Sequence, residues 1–399
     1  MSAHQPAFGR RTALLGLAAA LTLPRARVAF AEAPGEARLA VVLLRGGLDG
    51  LFAVQPYGEA DFRELRGGLA LPEPGQEGGL LDLGGRFGLH PRLTQIHAMY
   101  LANEALPIHA VAGNWRSRSH FTAQDLLESG ADHLMSSGWL NRALSTLPAR
   151  PGAQPTGLSV GTDLPLMMRG PTRVGTYAPR GAGTPPPDLL ARIAELNAAD
   201  PVAGPAIAEG LQARGYAIST LGMDATARPQ PGGAFRALAI AAGRLLAQPD
   251  GPRVAAFELN GWDTHSAQAN RLNAPLFQLD EGLGALKEAL GEHWRRTAVL
   301  VVTEFGRTVR VNGTGGTDHG TGGVAFVLGG AVAGGKVGGA WPGLAQGRLF
   351  ENRDLAPTTD LRSLAKGLLR DHLGLPGQAV ARAFPGSEAA APMAGLLRA

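Results

Sequence analysis

Five short runs along the chain are apolar at almost every position: 39–44, 108–112, 254–259, 298–303 and 324–328. None alternates with polar residues, so each reads as a strand buried on both faces, the pattern of a parallel sheet rather than of a half-solvated one. Between and after them the apolar positions recur at helical spacing, over 92–102, 123–129, 235–247, 265–294 and 360–373. Pro91 fits the first position of the first of these helices, where its missing N–H would have no partner anyway. Strands alternating with helices predict an α/β fold of three layers, α/β/α, around a mostly parallel central sheet. The stretch 149–233 breaks the rhythm. It is rich in Pro and Gly, carries one helical pattern near 189–198, and is expected to be an insertion or cap over one edge of the sheet. There are no internal repeats.

The first thirty residues follow another rule. Gly9-Arg10-Arg11-Thr12 leads into an apolar run from Ala13 to Leu23, and Ala29-Phe30-Ala31 supplies small residues around a cleavage point. A basic start, a short greasy centre and a small-x-small end define a secretory signal, and eleven apolar residues are too few to cross a bilayer. The paired arginines point to the twin-arginine export machinery as the first partner. The expectation is a signal peptide over 1–31, a mature α/β domain over 32–399 without a transmembrane span, and a periplasmic or otherwise exported location.

Charge supports that division. The chain has 37 Lys+Arg against 33 Asp+Glu, but Arg10, Arg11, Arg25 and Arg27 all precede the first acidic residue, Glu32. Without them the balance is 33 to 33, and no basic run remains to track a phosphate backbone, so nucleic acid is not an expected partner. The absence of cysteine excludes disulfides, thiolate metal sites and cysteine nucleophiles.

Chemistry gathers just after the strands. Asp49 follows the first, the second runs into Arg116-Ser117-Arg118-Ser119-His120, the third into Asp263-Thr264-His265, and the fourth into Glu304-Phe305-Gly306-Arg307. A loop with six glycines between 313 and 323 carries Asp318-His319. In an open α/β sheet the carboxyl ends of the strands border one crevice, so these distant residues can converge. Asp263 and His265, two apart in extended chain, can face the same ion; alternatively Asp263 caps the helix expected from 265. Carboxylates with imidazoles and no thiolate suit Zn, Mn, Mg or Ca rather than copper or iron–sulfur. The other Asp-His pairs, at 132–133 and 371–372, and His90 read as structural. Ser117 and Ser119 precede a helix and are either caps or a nucleophile favoured by the helix N-terminus.

These motifs, with Gly88-Leu89-His90-Pro91, Gly138-Trp139-Leu140-Asn141-Arg142 and Thr359-Asp360-Leu361-Arg362-Ser363, resemble the exported bacterial proteins grouped as domain of unknown function 1501, assigned to the alkaline-phosphatase-like, sulfatase-like superfamily. The resemblance implies an alkaline-phosphatase-like fold and a metal-dependent hydrolase of phosphate or sulfate esters. Asp49, Asp263, His265, Glu304, Asp318 and His319 would bind divalent metal, and Ser119 or Ser117 would attack. Arg118 and Arg307 would assist catalysis, with Arg116 and His120 binding a small anionic ester or polymer. The superfamily often has Asp-His where Glu304-Phe305 stands here, and a phenylalanine cannot ligate. One metal is then lost, or held through Glu304. The alternative is a non-catalytic binding or assembly protein of the cell envelope that retains the fold and a structural metal.

Overall fold

A computed structural model of the chain describes residues 36–147, 156–161, 163–178, 187–197, 200, 204, 207–208 and 233–398. The segment read as a signal peptide and much of the segment read as an insertion lie outside the described residues. Residues 35–399 form one compact unit.

The core is an eight-stranded sheet built on β1 (Arg38–Arg45). Its partners are β5 (Ala105–Ala112), β6 (Gly157–Val160), β7 (Val174–Tyr177), β8 (Val254–Asn260), β9 (Thr297–Thr303), β10 (Gly323–Leu328) and β11 (Thr359–Asp360), in the order β11-β5-β10-β9-β1-β8-β6-β7. A small second sheet joins β2 (Val54–Gln55), β3 (Leu81–Asp82) and β4 (Gly88–Leu89). The five strands expected from the apolar runs all lie in the large sheet. β1 shows why those runs lack alternation. Ala40, Val42 and Leu44 enter the core on one face, with Phe257 and Phe326, while Leu39, Val41 and Leu43 enter the core on the other, with Leu300 and Val302. Helices Ala234–Ala247 and Asn273–Leu290 cover the first face, and Trp139–Leu144, Leu361–Gly367 and Gly377–Ala383 the second. The expected α/β/α layering is present. Among the described residues no helix is long and apolar enough to cross a membrane.

Four details depart from the sequence reading. β10 is antiparallel to both β9 and β5, whereas all other neighbours in this sheet are parallel. A parallel partner needs a crossover back to the opposite edge, usually through a helix; the loop 304–322 has none and turns back at the edge it left. Pro91 lies in a turn, and the helix begins at Thr94 instead. There the Asp280 carboxylate accepts from Thr94 Oγ1 and from the backbone N–H of Gln95 and Ile96, at 2.9–3.1 Å. The helix expected over 265–294 divides into Gln268–Arg271, Asn273–Leu290 and a 3-10 turn, so His265 lies in loop and Asp263 caps nothing there. The described part of 149–233 also contributes two strands that the sequence reading did not expect: β6 pairs in parallel with β8, and β7 in parallel with β6, which extends the sheet laterally.

Candidate metal centre

The antiparallel return of β10 builds the site, because it brings both ends of the loop 304–322 to the carboxyl ends of β1, β8 and β5. The loop is closed by backbone bonds from Gly306 N to Thr321 O (3.0 Å), from Gly320 N to Gly306 O (2.8 Å) and from Thr308 N to Asp318 O (3.0 Å). Arg307 thereby faces His319 across the loop. The Arg307 guanidinium is buried and donates to the carbonyls of Gly47 (2.7 Å), Gly46, Thr317 (2.9 Å) and Trp262 (3.2 Å), and to Asp263 Oδ1 at 2.6 Å. One side chain thus ties together the turns after β1 and β8 and the glycine-rich loop. The resemblance implies that it assists catalysis, but every one of these contacts points it into the protein.

His120, Asp263 and His319 present ligand atoms that all lie within 4.8 Å of one another. His265 adjoins them, its Nε2 3.0 Å from Asp263 Oδ1 and 3.0 Å from His319 Nε2. The tautomers follow from what each Nδ1 faces. His120 Nδ1 is 2.7 Å from Glu304 Oε1, His319 Nδ1 is 2.7 Å from the Arg118 carbonyl, and His265 Nδ1 is 3.1 Å from Asp318 Oδ1. Carbonyls and carboxylates only accept, so the Nδ1 of His120 and of His319, each 2.7 Å from its acceptor, donates, and these rings when neutral turn an unprotonated Nε2 toward Asp263. His265 has a carboxylate at either ring nitrogen, Asp318 at 3.1 Å and Asp263 at 3.0 Å, and these do not fix its tautomer. His120 Nε2 is buried without a hydrogen-bond partner among the described residues and lies 3.4 Å from Asp263 Oδ2. Lone pairs facing each other at 3.0 Å, as on His265 and His319, repel unless a proton or a metal ion sits between them. Imidazoles fixed by acceptors behind them and converging with a carboxylate are the donor set of a metal site.

Electrostatics agrees with this assignment. Partial burial pushes the Asp263 carboxyl up, but the hydrogen bond and charge of Arg307 outweigh it and hold the group down at about 2. Burial also acts against the charged Glu304, and the bonds from His120, Gln124 and Gly46 reverse it, keeping the carboxyl below its usual range. The His120 imidazole is raised, first by its bond to Glu304, whereas burial lowers that of His319. Asp263 is therefore a permanent anion at neutral pH.

The other expected site residues fall in different places. Glu304 stands behind His120, its Oε1 also accepting from Gly46 N and Gln124 Nε2 and its Oε2 from Thr303 Oγ1, so its carboxylate is turned to these donors and holds the His120 ring through Nδ1. Asp318 is exposed and holds His265. Asp49 does not join the cluster. Its carboxylate pairs with the buried Arg66, accepts from Gln268 Nε2 at 2.6 Å and caps Phe52 N at 3.2 Å, all under the protein surface. Arg118 is clasped by Glu351 and Asp354, and Arg116 donates to its own loop carbonyls at Gly113 and Trp115. Ser117 Oγ accepts from Ser119 N, and the exposed Ser119, N-cap of the His120–Ser129 helix, makes no capping bond with its side chain. Phe305 packs its ring 4.9 Å from that of His120 and 4.8 Å from that of His319. His120, expected to bind substrate, stands among the ligand atoms. It occupies the same post-strand position that singled out Ser119, and that position is the signal that could have marked it.

With this geometry in place, the family follows. Residues 96–384 match the model of the family described as protein of unknown function (DUF1501), and the chain belongs to that family. No curated protein matches it. Solved structures similar to it include Ps i-CgsB in complex with k-i-k-neocarrahexaose, at 11% identity over 86% of this chain and 73% of that one, TM-score 0.39. The phosphonate monoester hydrolase of Agrobacterium radiobacter is 12% identical over 84% and 74%, TM-score 0.36. A protein in the alkaline phosphatase superfamily from Vibrio parahaemolyticus is 11% identical over 74% and 60%, TM-score 0.33.

Proposed function

We propose that the chain is an exported hydrolase of phosphate or sulfate esters with a mononuclear divalent-metal centre held by His120, Asp263 and His319, with His265 as fourth donor. The observation that carries it is the convergence of three imidazole Nε2 atoms on one ionised carboxylate, at 3.0–3.4 Å, with an acceptor behind the Nδ1 of each ring. Zn or Mn suits the borderline nitrogen-rich set better than Mg or Ca, which favour oxygen. One ion rather than two is supported by Phe305, an apolar ring packed against both His120 and His319, and by Asp49, whose charge is already paired with Arg66.

When bound, the metal would supply Lewis-acid polarisation of an ester oxygen and acidify a coordinated hydroxyl or water. The chain's own contribution is to hold the ligands, keep Asp263 ionised through Arg307, and present Ser119 beside His120 at the positive end of a ten-residue helix. The ester-hydrolase class rests on the motif resemblance; export through the twin-arginine route to the periplasm rests on the Arg10-Arg11 leader.

A specific observation favours a second reading, a non-catalytic envelope protein with a structural metal: Arg307 and Arg118 are committed to the protein's own acceptors, leaving Arg116 as the remaining candidate anion grip. Elemental analysis of purified protein, followed by nitrophenyl phosphate, phosphodiester and sulfate substrates with Zn²⁺, Mn²⁺ and Ca²⁺, separates the two. Metal at one equivalent with turnover lost in Ser119→Ala but kept in Ser117→Ala supports the hydrolase. Metal without turnover on any substrate supports the second reading, and a folded, metal-free protein unable to take up these ions removes both.

A further inference from the structure

The His319 imidazole has its Nδ1 2.7 Å from a backbone carbonyl, that of Arg118, and its Nε2 3.3 Å from Asp263 Oδ1, and a carbonyl is only as well placed as the loop that carries it. Arg118 follows Ser117 in the irregular segment between β5 and the His120–Ser129 helix. Its position is set from a distant part of the chain. The guanidinium donates to Asp354 Oδ2 at 2.9 Å and to Glu351 Oε2 at 2.6 Å. Asp354 is fully buried and also accepts from Thr321 Oγ1 at 2.9 Å, two residues beyond His319. Its neighbour Arg353 donates to the His319 carbonyl at 2.8 Å. The segment Phe350–Asp354 closes on itself through bonds between Phe350 and Asp354, with Glu351 and Asn352 held at φ +53° and +52°. It therefore grips both partners of the Nδ1 bond, Arg118 through its side chain and His319 through its backbone.

We propose that Asp354 is a positioning residue for the metal centre. By holding Arg118 it fixes the carbonyl that keeps the proton on His319 Nδ1 and leaves Nε2 to the cation. A buried carboxylate is costly unless paired, and a purely packing role would be met by an apolar side chain of similar volume. Asp354 instead sits one guanidinium away from the acceptor that selects a ligand's tautomer, the kind of outer contact that tunes metal affinity. This inference rests on the reading of His319 as a ligand, but its first readout does not require a metal.

The test compares wild type with Asp354→Asn, Asp354→Ala and Arg118→Met, the last removing the partly exposed half of the clasp. ¹⁵N shifts of the His319 ring in EDTA-treated protein report the tautomer, and competition against a chromophoric chelator reports Zn²⁺ affinity. The expected result is the Nδ1–H form in wild type, a substantial Nε2–H population in Asp354→Ala and Arg118→Met, and Zn²⁺ binding weakened about ten- to a hundred-fold in both. Asp354→Asn, which keeps the shape but loses the charge, should fall between. An unchanged tautomer with affinity within about twofold of wild type in a folded Arg118→Met overturns the proposal, whether or not Asp354→Ala folds. If wild type shows the tautomer and the variants lose it but no protein binds Zn²⁺, the positioning role stands and the metal reading falls.

Discussion

The Nδ1 of His120 donates to Glu304 Oε1 at 2.7 Å, across 184 residues of sequence, and this bond turns the other ring nitrogen toward Asp263. Glu304 is itself held by Gln124, whose carbonyl accepts from Arg45; Arg45 in turn pairs with Glu128 and Glu258. A chain of charge and amide groups thus runs from the end of β1 to the His120 nitrogen that faces Asp263.

Glu304→Gln replaces the acceptor's charge and allows an amide N–H to face His120. Zn²⁺ affinity is expected to drop about 10- to 100-fold. Chelator competition checks it; an affinity equal to wild type would remove Glu304 from the site.

Arg307→Met leaves four backbone carbonyls and Asp263 without their shared donor. Each buried acceptor left unpaired costs about 1–3 kcal/mol, so a total loss of at least about 3 kcal/mol is expected. The urea midpoint at constant slope reads it. A loss under about 1 kcal/mol would mean that the staple is ornamental.

Gly47 sits at φ +70°, and a Cβ there would lie 2.7 Å from Phe305 Cε2. Gly47→Ala is expected to cost about 2–4 kcal/mol, combining left-handed strain with overpacking. The ring it displaces touches His120 and His319, so metal affinity should fall as well. Gly47→Ala with Phe305→Leu should recover part of both; purely additive losses would show that the ring is not the obstacle.

Asp280→Ala removes the carboxylate that caps the Thr94–Leu101 helix from another helix and leaves two N–H groups unmet. The expected cost is about 1–3 kcal/mol, with amide exchange accelerating at Gln95 and Ile96. Unchanged protection at those amides would contradict it.

Burial is the leading cause holding His90, His109 and His372 down to about 4. Their folded values lie below the ordinary 6.5, so between about 4 and 6.5 the unfolded chain binds more protons than the folded one. Stability from these groups is therefore complete above about 6.5 and lost as pH falls toward 4, by at most on the order of 3 kcal/mol each. Denaturation with EDTA present, comparing pH 7.5 with pH 4.5, should show a steep drop; a flat profile over that window would exclude buried neutral histidines.

The strands and their order of chemistry were legible because burial on both faces leaves a local mark, a run of apolar side chains such as 39–44. The direction of β10 was not, since an apolar run carries no arrow and only the helix-free loop 304–322 hints at it. Among the candidate site residues, Asp263 stood out by its place just after a strand and His319 by its glycine-rich loop. The roles of Glu304, Arg307 and Asp49 could not, because a carboxylate that binds an ion and one that pairs with arginine are the same residue in a sequence.

From its residues alone the chain is determined to be a layered α/β protein with its polar groups concentrated at one edge of the sheet. Periodicity and position relative to strands are local properties, and they suffice for that. Which of those groups face each other was decided only by the tertiary structure, through the return of β10 and the Arg307 staple. Hydrogen-bond partners select tautomers and ionisation, and those partners come from segments hundreds of residues away.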